Sequence, residues 1–162
     1  MRRLNILLAE DDDDLRALYS YMLAASGYRV KAVSNGLEAL AEMQVNRPDV
    51  VVTDLSMPVL NGLDLIVAIR ADDEIADLPV VVITSFGEEI RELALGVGAT
   101  NAIDRPTEME RILDVIDAAV SRLSKANLRS YGGPLSELSG KNSRAGATTG
   151  PATIPPQATA RS

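Results

Sequence analysis

Five short apolar runs alternate along the chain with stretches in which apolar residues recur at helical spacing. The runs are Leu4 to Ala9, Tyr28 to Val33, Val50 to Thr53, Val80 to Thr84 and Asn101 to Ile103. In DVVVTD and PVVVITS the β-branched residues do not alternate with polar ones, the pattern of strands buried on both faces of a parallel sheet. Between the runs, Leu15, Leu18, Tyr19, Met22 and Leu23 fall at i, i+3, i+4, i+7 and i+8, and Ser26-Gly27 stops that helix. Leu37, Leu40 and Met43 follow Asn35-Gly36, Ile66 and Ile69 follow Gly62, and the stripe Ile90, Leu93, Ala94, Val97 closes at Gly98. The longest stripe runs through Met109, Ile112, Leu113, Ile116, Val120 and Leu123, and reads as core rather than as a partner groove. Strict alternation predicts an α/β fold of βαβ units with right-handed crossovers, a parallel sheet between helices. Such sheets bind ligands at the carboxyl ends of their strands.

Charge divides the chain. Residues 1–124 hold 11 Lys and Arg against 22 Asp and Glu, a net of −11, whereas residues 125–162 have five basic residues and one acid. From Tyr131 onward, 17 of 32 residues are Gly, Pro, Ser or Thr, and the large aliphatic side chains are only Leu135, Leu138 and Ile154. Too little apolar surface is available there to offset the entropy of ordering, which predicts a domain over 1–124 and a flexible, disordered tail over 125–162.

Missing residue types narrow the chemistry. With no Cys and no His, the chain has no disulfide, thiolate nucleophile, imidazole base or His-ligated metal. A metal here would be hard and oxygen-ligated. A net charge of −7 argues against nucleic-acid backbone binding, and 3% aromatic content argues against base-stacking platforms. No apolar run approaches the roughly 20 residues of a membrane span, and the run after Arg2-Arg3 is too short for a signal-peptide core. The expected location is the cytoplasm.

Polar residues gather at the strand ends. Glu10 and Asp11 follow the first run, Asp54 the third, Thr84-Ser85 close the fourth, and Arg105-Pro106 follow the fifth. Three carboxylates brought together repel one another unless a cation shares the site, and Mg2+ takes carboxylates, carbonyls, waters and phosphate oxygens. Metal, carboxylate nucleophile, hydroxyl and cation are the parts of phosphoryl chemistry. Asp12, Asp13 and Asp14 read instead as a helix N-terminus, and Phe86 as loop packing.

The segments ILLAEDD, DLSMPVLNG (Asp54 to Gly62), VVITS and GATNAIDRP resemble, in order and spacing, the receiver domain of two-component response regulators over about residues 4–124. The resemblance implies a flavodoxin-like, doubly wound five-stranded sheet of order 2-1-3-4-5 with five helices. It implies Asp54 as phosphoacceptor, Mg2+ held by Asp11, Asp54, the backbone carbonyl of Ser56 and, through water, Glu10, and Thr84 and Arg105 as phosphate-binding and switch residues. Met57, Pro58, Asn61, Gly62 and Pro106 shape the adjoining loops. The phosphoryl donor is then a sensor histidine kinase, a histidine phosphotransfer protein or a small phosphodonor. A downstream protein partner reads the result.

Three departures concern the readout. Arg105 stands where the family has lysine, and its planar fork meets oxyanions differently from an ammonium. Ala102 takes the place of the aromatic switch residue. Ser85 and Thr107 replace a common Ala and Phe. The leading expectation is a single-domain, phosphorylation-controlled interaction module, not an enzyme acting on other substrates. The alternative is a phosphorylation-independent adaptor with an altered switch. An Asp-nucleophile phosphatase ranks third, because such enzymes carry a second acid two residues after the nucleophile, where this chain has Ser56.

Overall fold

The computed structural model describes residues 2–130, in which five strands alternate with five helices. They are β1 (Asn5–Ala9), α1 (Asp13–Ala25), β2 (Arg29–Val33), α2 (Gly36–Val45), β3 (Val50–Thr53), α3 (Gly62–Ala71), β4 (Val80–Thr84), α4 (Glu88–Gly96), β5 (Asn101–Asp104) and α5 (Met109–Ser130). Every pairing is parallel and the order is β2-β1-β3-β4-β5, the flavodoxin-like arrangement that the resemblance implies. Helix α5 continues past residue 124, because Lys, Ala, Leu and Arg beyond it favour helix even as bulky apolar residues thin out. The remainder of the predicted tail, 131–162, lies outside the described residues.

Alternate strand residues face opposite layers. Leu7, Ala9, Val51, Val80 and Val82 pack with Ala39, Met43, Leu65, Ile66 and Ile69 of α2 and α3. Ile6, Leu8, Val50, Val52, Val81 and Ile83 pack with Tyr19 and Leu23 of α1 and Ile112 and Ile116 of α5. Each fully buried aliphatic side chain adds about 1.5–3 kcal/mol, so the two layers hold the sheet from both sides. The interior strands β3 and β4 are buried throughout, as their unbroken β-branched runs predict. The edge strand β2 instead exposes Arg29 and Lys31, charges that discourage pairing with another sheet.

Helix starts are written in short polar side chains. Asp12 caps α1, its Oδ1 accepting from the Asp14 and Leu15 amides at 3.0 and 2.9 Å, as the N-terminal reading of these acids predicts. Asn35 accepts from the Glu38 amide at 2.9 Å, and the Glu38 carboxylate accepts in return from the Ser34 amide at 2.9 Å. Asn61 caps α3 through the Asp64 amide at 2.9 Å. Helix α4 begins at Gly87 without a side-chain cap.

Candidate functional site

Strand register puts the predicted residues together. Ala9 of β1 lies opposite Thr53 of β3, so Glu10 and Asp54 leave the sheet side by side. The Asp54 amide donates to the Ala9 carbonyl at 3.0 Å, and the Glu10 amide to the Val33 carbonyl at 3.1 Å. One carboxylate oxygen from each of Glu10, Asp11 and Asp54 lies within 4.8 Å of the others. Glu10 and Asp54 are 3% and 8% exposed, while Asp11 faces solvent. These acids, with Ser56, Ser85 and Arg105, line an open cavity of about 420 Å³.

Two buried carboxylates need a counter-charge, and Arg105 supplies one. Its Nη1 lies 3.1 Å from Glu10 Oε2 and its Nη2 lies 2.9 Å from Asp54 Oδ1, so the fork bridges both acids. The Arg105 side chain is only 14% exposed; the surface position that a lone arginine suggests is not where it sits. Burial opposes its charge, but Asp54 and Glu10 outweigh that and hold it above its ordinary range. Burial is also the largest influence on Glu10 and raises it. A hydrogen bond from the Asp12 amide and the charge of Arg105 work the other way. Asp54 Oδ1 further accepts from the Leu55 amide at 2.7 Å.

The loop after Asp54 depends on Gly62. Its amide donates to the Leu55 carbonyl at 2.9 Å, and a Cβ there would stand 2.2 Å from the Asp54 carbonyl oxygen and 2.8 Å from Leu55 Cα. Met57 is buried beneath the loop, Pro58 is exposed, and Ser56 opens onto the cavity. Thr84 is fully buried at the end of β4. Its Oγ1 accepts from the Phe86 amide at 3.3 Å, and it does not line the cavity. Phe86 is 54% exposed and borders a shallow cavity with Leu55, Met57, Leu63 and Ile90, so it packs against the neighbouring loop on one side only. Pro106 follows Arg105 through a cis peptide bond.

Three contributors escape a reading of the sequence alone. Arg16 donates to the Glu10 carbonyl at 2.9 Å and so ties α1 to the acidic loop; its position one turn into an acid-capped helix is the available signal. Arg91 of α4 forms an ion pair with Asp104 of β5. Tyr19 of α1 lies buried beside Arg105, where its place in an apolar stripe reads as core. Near these, Ala102 is half-buried, and no aromatic ring stands on β5.

The donor set suits a hard divalent cation: three clustered carboxylates, one of them open to solvent, beside the segment carrying the Ser56 carbonyl. Among the described residues, no helix is long and apolar enough to cross a membrane.

Residues 6–117 match the response regulator receiver domain family. The chain is 30% identical over 113 residues to the polar-differentiation response regulator DivK of Brucella anthropi, covering 69% of this chain and 92% of DivK. It is 33% identical over 118 residues to the transcriptional regulatory protein PrrA of Mycobacterium tuberculosis, covering 72% of this chain and half of PrrA. Among solved structures, chemotaxis protein CheY4 of Vibrio cholerae superposes with a TM-score of 0.68 at 28% identity, over 73% of this chain and 99% of CheY4. A response regulator from Chloroflexus aurantiacus shares the fold with a TM-score of 0.72 at 24% identity, over 75% of this chain and all of that one. With this fold, this acidic edge and a family match over most of its described length, the chain belongs to the response regulator receiver domains of two-component signalling.

Proposed function

We propose that this chain accepts a phosphoryl group on Asp54 from the phosphohistidine of a sensor histidine kinase or histidine phosphotransfer protein, and that the modified domain controls a protein–protein interaction. The supporting observation is the convergence of Glu10, Asp11 and Asp54 at one strand edge, with Arg105 bridging two of them. An Asp54 carboxylate oxygen attacks phosphorus, the bond from phosphorus to the imidazole nitrogen breaks, and an acyl phosphate forms. Glu10, Asp11, Asp54 and the Ser56 carbonyl would hold Mg2+, which when bound offsets charge on the transferring phosphoryl oxygens. Arg105 offers a second counter-charge from the β5 side. The Thr84 hydroxyl, which accepts from the Phe86 amide at 3.3 Å at the end of β4, would turn from that bond to answer the new phosphate. The added charge then biases the loops leading to α4 and β5.

Incubation with Mg2+ and acetyl phosphate, read by intact mass, is expected to add one phosphoryl group to the wild type and none to Asp54→Asn. An unmodified wild type, under conditions that label a control receiver, would overturn the proposal.

Ala102 and the Arg105 bridge favour a second reading, an adaptor that binds its partner without phosphorylation. Equal partner affinity of wild type and Asp54→Asn, with and without phosphodonor, would select that reading over the first.

A further inference from the structure

Glu10 and Asp11 are adjacent in the chain but are held in different ways. Both carboxylate oxygens of Glu10 have partners, Oε1 accepting from the Asp12 amide at 3.2 Å and Oε2 lying 3.1 Å from Arg105 Nη1. The Asp11 carboxylate faces solvent, so its direction is set by the backbone that carries it. That backbone lies between β1 and α1, where the Glu10 and Asp11 carbonyls accept from no main-chain amide among the described residues. Arg16, in the first turns of α1, meets both. Its Nη1 donates to the Glu10 carbonyl at 2.9 Å and, more weakly, to the Asp11 carbonyl at 3.4 Å. Its Nη2 pairs with Asp13, which orients the planar fork and offsets its charge. These two carbonyls belong to the peptide planes on either side of the Asp11 Cα. Holding both planes fixes the direction in which the Asp11 side chain leaves the chain.

We infer that Arg16 is a positioning residue for the cation site: by clamping the peptide planes that flank Asp11, it aims that carboxylate toward Glu10 and Asp54. The inference rests on the reading of these three acids as the Mg2+ site of the phosphoacceptor. A clamp and a mere charge have opposite consequences. A guanidinium acting only by its charge repels Mg2+, so its removal would tighten binding. Removal of a clamp releases Asp11 and weakens binding.

The full chain is titrated with MgCl2 alone, without phosphodonor, and amide chemical shifts are followed in wild type, Arg16→Met and Ala17→Gly. Methionine keeps an unbranched stem and similar helix propensity but offers no donor. Arg16→Met is expected to bind Mg2+ about tenfold more weakly than wild type, the lower end for losing a contact that orients a metal ligand. Ala17→Gly weakens the same helix at an exposed position and is expected to bind Mg2+ as wild type does. In acetyl phosphate labelling, the Mg2+ concentration for half-maximal rate is expected to rise about tenfold in Arg16→Met, with the rate at saturating Mg2+ within about twofold of wild type. Unchanged or tighter Mg2+ binding by Arg16→Met would overturn the inference, tighter binding marking an effect of charge. An equal loss in Ala17→Gly would also overturn it, since the effect would then belong to α1 as a whole. So would a tenfold fall in the saturated rate, which would place the damage outside the cation site. If wild type binds Mg2+ but is not labelled while a control receiver is, the phosphoacceptor reading fails by itself, and the MgCl2 titration still decides the role of Arg16.

Discussion

After β3 the chain passes from Asp54 into a loop closed by its own backbone. Gly62 donates to the Leu55 carbonyl at 2.9 Å, and Asn61 caps α3 through the Asp64 amide at 2.9 Å. After β4, at the same sheet edge, the chain turns through exposed Ser85, Phe86 and Gly87 and enters α4 with no side-chain cap. Ala94, Ile90 and Val97 pack α4 against the core and the Ala94 carbonyl accepts from the Ala99 amide at 2.9 Å, while the first turns of α4 are tied to β5 by the Arg91–Asp104 ion pair. Backbone closure leaves a single arrangement, because any shift breaks several contacts at once. An ion pair between long side chains tolerates displacement, and an uncapped helix start has less to lose by moving. The Asp54 side is therefore held in one arrangement, whereas the start of α4 has fewer contacts to lose. The family's resemblance divides along the same line: DLSMPVLNG is present in full, whereas Ala102 and Arg105 depart on the far side.

The largest test of this contrast is Gly62→Ala. Its Cβ would meet the Asp54 carbonyl oxygen at 2.2 Å and Leu55 Cα at 2.8 Å, both backbone atoms that cannot swing aside. Urea unfolding is expected to show a loss of about 3 kcal/mol, the upper end for forcing atoms into a packed interior. A loss below about 1 kcal/mol would show that the loop yields, and the two sides would no longer differ in kind.

A smaller loss is expected for Gly87→Ala. Nothing lies within 4 Å of the added Cβ, but the backbone sits at φ 80° and ψ −175°, a region almost confined to glycine. The expected cost is about 1–2 kcal/mol, from conformation alone. Hydrogen exchange sharpens the comparison: faster exchange is expected in the first turn of α4 and not in α3. Equal acceleration in both helices would contradict the separation of the two sides.

How far the sequence announced these features depends on whether one element carries the cause. VVVT and VVVIT mark β3 and β4 because interior strands bury every residue, and Glu10, Asp11 and Asp54 stand out because they directly follow strands. Strand order is different. Alternation requires parallel pairing without saying which strands are neighbours, and 2-1-3-4-5 came from family resemblance. Beyond one element the signal fades. Tyr19 beside Arg105 and Arg91 beside Asp104 are pairs that packing brings together from distant segments, and neither residue is unusual in its own helix. Val59 is the hardest case. It has a φ of 69°, with the Leu60 amide donating to the Pro58 carbonyl at 2.8 Å across it, a tight turn in which a β-branched residue is least expected. The end of α5 was obscured for another reason: the composition boundary at 125 follows loss of bulky apolar residues, whereas helix continues on propensity through Ser130.

The smallest effect belongs to one ionisation on the Asp54 side. Burial raises Glu10 above its ordinary value of 4.5, against the opposing pull of the Asp12 amide and Arg105. The folded chain then binds that proton more tightly than the unfolded chain. Stability from this difference is fully present below the unfolded value and is lost as pH rises through the higher folded value. With divalent cations chelated, unfolding free energies of wild type and Glu10→Gln should be measured from pH 4 upward. The wild type is expected to lose stability relative to Glu10→Gln as pH rises through that window, and the difference should then level off. A difference that instead grows in favour of wild type would mean that the Arg105 bridge outweighs desolvation. In that case the Asp54 side, like the start of α4, would owe its rigidity to a charged pair, and the distinction between the two sides would rest on Gly62 alone.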